Sequence, residues 1–356
     1  MDTLTHALSG ALLARAGAPR EQRAGEPTVA QRVLVGAIAC GFPDIDFLVS
    51  FVSPLTYLLN HRGLTHSLVA LPLWALLIAW IAARLLRPQR GLRAFAGTAA
   101  MGVGLHIAGD LITTFGTMLL APFSDVRFGW GTTFIIDLWF SGIIIAGLVC
   151  SALWRRSRIP AATACVVLVA YVLFQAAMKH EAVKIGREYA DAQGIRDPEL
   201  KVAAIPRSLS PLNWTVILTT RDARRFAHIN LLRTQVPGAP AEGDGRFARM
   251  QAEFYPGDKA KWQRLPRFGN SPEEVRLAHT VWDQPDFAFF RWFADYPALL
   301  RTERLGPTTC VWFQDLRFIN PGVPHTPFRY GMCRDGNDKP WQRYALLGEG
   351  RRARFD

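Results

Sequence analysis

The amino-acid sequence predicts an α-helical polytopic membrane domain followed by a soluble α+β domain with an antiparallel sheet. Half of the 356 residues are hydrophobic, whereas only 20% are charged. The hydrophobic residues are concentrated in the first half of the chain, in runs long enough to cross a bilayer. From about residue 180 the composition becomes that of a soluble protein, so we place the domains at residues 1–179 and 180–356. The long apolar runs exclude an intrinsically disordered protein.

About five membrane spans, preceded by a short helix at residues 3–16, are expected in the first domain. A hydrocarbon core about 30 Å thick needs roughly 20 apolar residues of helix, and residues 159–178 provide such a run without a charge. The expected spans are residues 33–52, 68–86, 94–121, 134–154 and 159–179.

Arginine residues between these runs predict the orientation of the chain in the membrane. Short basic loops of multi-spanning proteins face the cytoplasm, so the loops 53–67 and 122–132 and the C-terminal domain are expected outside. The same clustering between apolar runs argues against a nucleic-acid partner, despite a net charge of +12. The three clusters are Arg15, Arg20, Arg23 and Arg32; Arg84, Arg87, Arg90 and Arg93; and Arg155, Arg156 and Arg158.

The second domain begins with a charged helical connector at 179–196 and continues with strand-like runs rich in β-branched and aromatic residues. A hairpin is expected around 221–224, and a short helix at 287–300. The strand-like runs are residues 213–220, 226–232, 308–319 and 326–333.

Two cysteines of the second domain are predicted to form a disulfide. Residues 320–324 contain a Pro-Gly pair that favours a turn, and if the flanking strands pair about its midpoint, Cys310 faces Cys333. Opposed residues of antiparallel strands have Cα atoms about 4.5–5.5 Å apart, which a disulfide can bridge. The alternative is a register shifted by one residue, which would place the two side chains on opposite faces.

Histidine and aspartate residues recur through the first domain at unusual density. Ionisable groups inside a membrane are costly, so they normally pair, face a cavity or carry function. Mixed imidazole and carboxylate ligands are those that zinc, manganese or iron takes, and a proton or ion pathway is the alternative. The residues are Asp2 and His6, Asp44 and Asp46, His61 and His66, His106 and Asp110, and Asp137.

The motifs around these residues resemble the YdjM-like bacterial inner-membrane proteins, described as membrane-bound metal-dependent hydrolases. The resemblance covers roughly residues 1–140 and implies a metal site made by Asp2, His6, Asp44, Asp46, His61, His66, His106 and Asp110. The matching motifs are D-x-x-T-H at 2–6, G-x-P-D-x-D at 41–46, H-R-G-x-T-H-S at 61–67, H-x-x-x-D at 106–110, and P-F-S-D-x-R at 122–127 ahead of I-I-D at 135–137.

A more distant resemblance concerns zinc-dependent phospholipase C and the related single-strand nucleases, which carry similar His and Asp elements in the same order. It implies a cluster of metal ions and cleavage of phosphoesters. The sequence departs from those enzymes at its start, where Met1-Asp2 stands in place of a tryptophan that binds metal through its amine.

Arg62, Asp46 and Asp137 are the candidate catalytic residues. Arg62 either holds a phosphate bidentately or anchors its loop to Asp44 or Asp125, and Asp137 is either a ligand or a hydrogen-bond partner of a histidine. Thr65 and Ser67 are expected to cap a helix that starts at Leu68.

The expected function is that of an inner-membrane hydrolase that cleaves a phosphoester of a lipid or lipid-linked substrate. It would use two or more divalent ions, zinc first and manganese or iron as alternatives, in a site open toward the outer leaflet. The alternatives are a proton- or ion-coupled transporter or channel and a non-enzymatic, stress-related membrane protein with an architectural metal site.

Overall fold

The chain divides into two compact units in a computed structural model that describes residues 1–19, 21, 25–87, 91–241, 243–323, 326–336 and 338–356. The first unit comprises Met1–Ala177 with Ser208–Pro211, and the second comprises Met178–Arg207 with Leu212–Asp356. Of the residues used in the predictions above, Arg20, Arg23, Arg90 and Pro324 lie outside the described ranges.

The first unit is helical. Its first helix confirms the one predicted at residues 3–16, and the predicted last span continues into the charged connector as one helix. The helices are α1 (Thr3–Ala16), α2 (Val29–Gly41), α3 (Pro54–Asn60), α4 (Leu71–Leu86), α5 (Arg93–Leu111), α6 (Leu138–Leu153) and α7 (Ile159–Ala192), with 3₁₀ segments at Phe42–Phe51 and Leu64–His66.

The prediction of about five membrane spans is wrong. Among the described residues, two helices are long and apolar enough to cross a membrane, Val29–Phe51 and Ile159–Ala192, or three if the bent pair Pro54–His66 and Leu71–Leu86 forms one span. α4 and α6 have 16 residues each, which is about 24 Å of helix against a hydrocarbon core of about 30 Å. α5 has 19 residues, but its glycine, threonine, histidine and aspartate residues make it less apolar. The orientation obtained by counting five passages therefore loses its basis.

Glycines let α1, α2 and α5 pack backbone against backbone. A Cβ atom on Gly10 would lie 2.1 Å from the Gly36 carbonyl oxygen, and one on Gly102 would lie 2.7 Å from Cβ of Ala39. Such contacts need small residues on the facing helices. They bring the start of α1, the end of α2 and the end of α5 together, and these segments carry most of the His and Asp motifs.

The second unit contains two antiparallel sheets, so the α+β prediction for this part of the chain is confirmed. The first sheet has the order β1 (Lys201–Pro206), β2 (Asn213–Thr219), β3 (Ala223–Asn230) and β4 (Gln263–Pro266). The second has the order β5 (Pro297–Leu305), β6 (Thr308–Asp315), β7 (Tyr330–Asp335), β8 (Gln342–Leu346) and β9 (Arg352–Arg354). The three α-helices described in this unit after α7 are α8 (Arg246–Ala252), α9 (Pro272–Trp282) and α10 (Ala288–Phe293).

The predicted hairpin and disulfide are both present. β2 pairs with β3 about residues 220–222, and β6 pairs with β7 with Cys310 opposite Cys333. The two cysteines are bonded, with Cα atoms 4.1 Å apart, whereas Cys40, Cys150 and Cys165 are free.

The predicted helix at 287–300 is shorter than expected. The helix ends at Phe293, because the backbone N–H groups of Asp295 and Tyr296 donate to the Asp315 carboxylate. β5 then begins at Pro297.

Candidate metal centre

Four of the eight predicted metal ligands converge in the first unit. Asp44 lies in the 3₁₀ segment after α2, His66 ends the short 3₁₀ segment Leu64–His66, and His106 and Asp110 lie one turn apart on α5. Each residue offers one ligand atom, and these four atoms lie within 4.8 Å of one another, so the group could hold a metal ion. We call these four residues the donor group.

The separations between the donor atoms fit a small divalent ion. His66 Nε2 and His106 Nε2 are 2.9 Å apart, and Asp110 Oδ2 lies 3.3 and 3.5 Å from these two nitrogens. Asp44 Oδ1 lies 3.6 Å from each of the same nitrogens. Ligands 2.0–2.1 Å from a tetrahedral zinc ion would be about 3.4 Å apart.

The hydrogen bonds of the two imidazoles aim their Nε2 atoms at the centre of the donor group. Nδ1 of His106 is 2.6 Å from the carbonyl oxygen of Cys40, and because a carbonyl can only accept, this nitrogen carries the proton. The lone pair of a neutral His106 is therefore on Nε2. His66 Nδ1 contacts Thr65 Oγ1 at 2.9 Å, so its Nε2 also faces inward. Two nitrogens this close must share either a proton or a cation.

The two oxygens of the Asp110 carboxylate have different surroundings. Oδ1 contacts Arg62 Nη2 at 2.8 Å and His6 Nε2 at 3.1 Å, as well as the backbone amine of Met1. Oδ2 is buried and has no hydrogen-bond partner among the described residues. A buried carboxylate oxygen without a hydrogen-bond partner is costly in free energy. Oδ2 of Asp110 faces both imidazoles, and a cation bound between them would provide the missing partner.

Two further predicted ligands, Asp46 and His61, lie beside the donor group. The Asp46 carboxylate is 3.6 Å from Nδ1 of His66 and 3.1 Å from Nδ1 of His61, and it accepts the backbone N–H of Arg62 at 2.9 Å. A carboxylate on the outer nitrogen of a metal-binding histidine fixes the orientation of its ring. At His66 this nitrogen contacts Thr65 Oγ1 at 2.9 Å, so the hydrogen-bond distance places Asp46 at His61 rather than at His66.

Arg62 is held at the donor group rather than at Asp44 or Asp125. Its guanidinium donates to Thr113 Oγ1 at 2.8 Å besides pairing with Asp110, and the side chain is only 2% exposed. Its backbone φ is 61°, a left-handed conformation that is strained for arginine and is retained where the surroundings enforce it.

The remaining predicted residues lie elsewhere or touch the donor group from outside. His6 stacks on His106 with ring centroids 3.7 Å apart. Asp2 is not brought to the group, because its carboxylate caps α1 by accepting from Thr5. Asp137 likewise caps α6 through the N–H groups of Trp139 and Phe140.

Three threonines that the sequence did not single out as site residues contact the site. Thr3 donates to Asp44 Oδ2 at 2.7 Å, Thr113 accepts from Arg62, and Thr65 contacts His66. The expectation that Thr65 and Ser67 cap a helix from Leu68 is wrong, since α4 begins at Leu71 and has no side-chain cap. Thr65 is the fixed threonine of the motif H-R-G-x-T-H-S, which was the available signal, whereas Thr3 occupies a variable position of D-x-x-T-H and no motif pointed to it.

The matches to known proteins agree with a membrane protein. The family model described as YdjM inner membrane protein matches residues 1–182, which include every member of the donor group. An uncharacterized protein, YfhP of Bacillus subtilis (strain 168), is 28% identical over 227 residues, which are 63% of this chain and 66% of that protein.

The chain thus spans slightly less than two thirds of that relative. No solved structure matches the chain, and neither match is to a zinc-dependent phospholipase C or nuclease, so that likeness stays a prediction. Because the family model covers half of the chain, including all of the motifs, the chain belongs to the YdjM inner membrane protein family.

Proposed function

We propose that this protein is a membrane-embedded, metal-dependent hydrolase that cleaves a phosphoester of a lipid or lipid-linked substrate. The observation that carries the proposal is the donor group, with its two facing imidazoles and the unbonded oxygen of Asp110. Two imidazoles and two carboxylates suit zinc, and manganese or iron takes the same ligand types. A second ion would need Asp46 and His61 as further ligands.

A divalent ion in the donor group would supply Lewis acidity toward a phosphoryl oxygen and make water a better nucleophile near neutral pH. Arg62 holds Asp110 so that Oδ2 faces the imidazoles. Asp46 lies 3.6 Å from His66 and contacts His61 at 3.1 Å, and the His61 side chain is 18% exposed. His61 is therefore placed to carry a proton between Asp46 and the exterior.

The surroundings of the most accessible donor support a lipid substrate. In the donor group, Asp44 is 14% exposed, whereas His66 and Asp110 are fully buried. Within three residues of Asp44 or His61 the chain exposes apolar side chains: Ile45 by 44%, Phe47 by 50% and Leu64 by 49%. Exposed apolar side chains near these two residues favour a lipid over a water-soluble phosphoester or a nucleic acid.

The burial of His66 and Asp110 also favours a second candidate, a metal site with an architectural role. Structural zinc sites are closed by four protein ligands, whereas catalytic sites keep one position open. In that case the ion would join the segment after α2 to α5 without catalysis. The ion-pathway alternative uses the same His and Asp residues.

Hydrolysis of labelled phospholipid in vesicles tests the proposal. The purified full-length protein should release the cleaved head group, lose this activity on chelation and regain it with Zn²⁺ or Mn²⁺. His66→Ala should be inactive, and His180→Ala, on an exposed part of α7, should keep full activity. Bound metal without hydrolysis would support the architectural site instead, and metal-dependent ion flux without hydrolysis would support the transporter.

We also infer that the C-terminal unit lies in the periplasm. The Cys310–Cys333 disulfide supports this, because such bonds persist in oxidising compartments. In a variant with Cys40, Cys150 and Cys165 replaced by alanine, a cysteine at Leu305, which is 54% exposed, should react with an impermeant maleimide in cells with a permeabilised outer membrane. Labelling only after the inner membrane is broken would contradict this placement.

A further inference from the structure

The disulfide between Cys310 and Cys333 has two chemically different sulfurs. Cys310 is fully buried, whereas Cys333 is 4% exposed and lines a cavity of about 340 Å³ between β7, β8 and β9. Cys310 does not line this cavity. A small molecule or a peptide loop that enters the cavity therefore meets Cys333 and not Cys310.

A guanidinium lies beside the sulfur that the cavity does not reach. Nη1 of Arg352 is 3.0 Å from Sγ of Cys310 and 3.8 Å from Sγ of Cys333. An adjacent arginine stabilises a thiolate relative to a thiol. The leaving sulfur in thiol–disulfide exchange departs faster when its thiolate is more stable, so the position of Arg352 favours attack on Cys333.

The charge of the cavity favours an anionic attacking group. Arg334, Lys339 and Arg352 line it together with one acidic residue, Asp335. The Asp335 carboxylate accepts a hydrogen bond from Thr308 Oγ1 at 2.6 Å. Part of its negative charge is therefore compensated by another residue that lines the cavity. Because the thiolate is the attacking species in exchange, a cavity rich in basic side chains raises its local concentration.

We propose that Cys310–Cys333 is a thiol–disulfide exchange site that accepts electrons from a dithiol, with Cys333 attacked and Cys310 leaving. One thiolate of the dithiol forms a bond to Sγ of Cys333 as the Cys333–Cys310 bond breaks, and the electron pair moves to Sγ of Cys310 beside Arg352. The second thiolate of the dithiol then attacks its own partner sulfur and releases Cys333. Both cysteines take up protons from solvent, so the dithiol is oxidised to a disulfide and the protein gains two electrons and two protons.

The rate of reduction tests the role of Arg352. Full-length protein in detergent is incubated with dithiothreitol, quenched with maleimide under denaturing conditions, and its modified cysteines are counted by mass. In the wild type the number of modified cysteines should rise from three to five. In Arg352→Gln this rise should be about three- to tenfold slower, because the leaving thiolate of Cys310 is less stable. The control is Arg354→Gln on the same strand, where the Arg354 side chain is 62% exposed and pairs with Asp356.

The direction of this effect separates a chemical role from a structural one. A substitution that merely loosens β9 would expose the disulfide and speed its reduction, whereas the proposal requires slower reduction. Equal rates for Arg352→Gln and Arg354→Gln, or faster reduction of Arg352→Gln, would overturn it.

The site of attack is tested separately with glutathione. Mass spectrometry of the trapped mixed disulfide should find glutathione on Cys333. Glutathione on Cys310, or reduction that requires urea, would overturn the proposal.

Discussion

Arg62 is the residue that connects the H-R-G turn to α5. Its two terminal nitrogens are used separately, one on Asp110 Oδ1 and the other on Thr113 Oγ1, each at 2.8 Å. Lysine has a single terminal nitrogen and cannot occupy both positions. Arg62 therefore holds Asp110 through one terminal nitrogen and Thr113 through the other.

Arg62→Lys should therefore weaken metal binding. Loss of a residue that orients a ligand typically lowers metal affinity about 10–100-fold, and competitive zinc titration of the purified protein measures this change. Arg84→Lys, on α4 beside Trp80, is the control and should keep wild-type affinity. Unchanged metal affinity together with a raised KM would instead support phosphate binding by Arg62.

Two aspartates show why residue type alone overestimates a ligand set. Asp2 and Asp137 both precede a helix and cap it through backbone N–H groups. An aspartate directly before an apolar helical run is a recognised start signal, so the sequence did contain this alternative. The spacing of H-x-x-x-D, by contrast, placed His106 and Asp110 on one face of α5, where both join the donor group.

At the scale of elements, α1 and α5 both pack closely against α2, beside the donor group. A Cβ atom on Gly36 would lie 2.6 Å from both Cβ of Ala14 and the carbonyl oxygen of Gly10. Gly36→Ala should therefore force the two helices apart and destabilise the protein by about 1–3 kcal/mol.

The control for this substitution is a glycine with open space around it. Nothing lies within 4 Å of a Cβ atom on Gly97 in α5, so Gly97→Ala should stabilise the helix by about 0.5–1 kcal/mol. The thermal midpoint in detergent should fall for Gly36→Ala and rise for Gly97→Ala. A rise for both would contradict the close packing.

A hydrogen-bonded chain in the first sheet of the second unit makes its stability depend on pH. Arg207 Nε donates to Thr215 Oγ1 at 2.5 Å, and the Thr215 hydroxyl then donates to His228 Nδ1 at 2.7 Å. Burial, followed by the charge of Arg207, lowers the pKa of His228 from 6.5 to about 3. The folded protein therefore holds this histidine neutral where the unfolded chain would protonate it.

The unfolded state binds the extra proton between about pH 6.5 and 3, so the free energy of unfolding should fall as the pH is lowered through this range. The contribution of His228 is about 1.4 kcal/mol per pH unit. Urea unfolding followed by tryptophan fluorescence should show a shallower acid dependence for His228→Gln than for wild type. Parallel pH profiles would show that His228 is not the group responsible.

At the scale of the whole molecule, the sequence predicted the membrane-protein family and the donor group better than it predicted the number of membrane spans. Asp44, His66, His106 and Asp110 were all named in advance, because each lies in a short motif with fixed spacing. The number of spans was overestimated, because two of the apolar runs form helices of only 16 residues, α4 and α6, and a third forms α5, which is less apolar. Five of the described strands were missed. The first residues of β5 fall in the helix predicted at 287–300, and β1, β4, β8 and β9 show no strand-like apolar run of the length used for the prediction.

Contacts between residues far apart in the sequence were also harder to predict than contacts between neighbouring strands. The partner of Cys310 could be predicted because β6 and β7 follow one another along the chain and pair about the midpoint of the segment between them. The meeting of Thr3 with Asp44, 41 residues apart, depends on helix packing that no local pattern records.

Metal analysis of the purified protein tests the central claim most directly. Wild-type protein, extracted in detergent without chelators and reconstituted with zinc, should hold at least one equivalent of metal per chain by elemental mass spectrometry. His66→Ala and His106→Ala, which each remove one of the two facing imidazoles, should hold almost none and still insert into the membrane, whereas His180→Ala should match wild type. Full metal content in both ligand variants, or no metal in the wild type, would contradict the assignment of the donor group as a metal site.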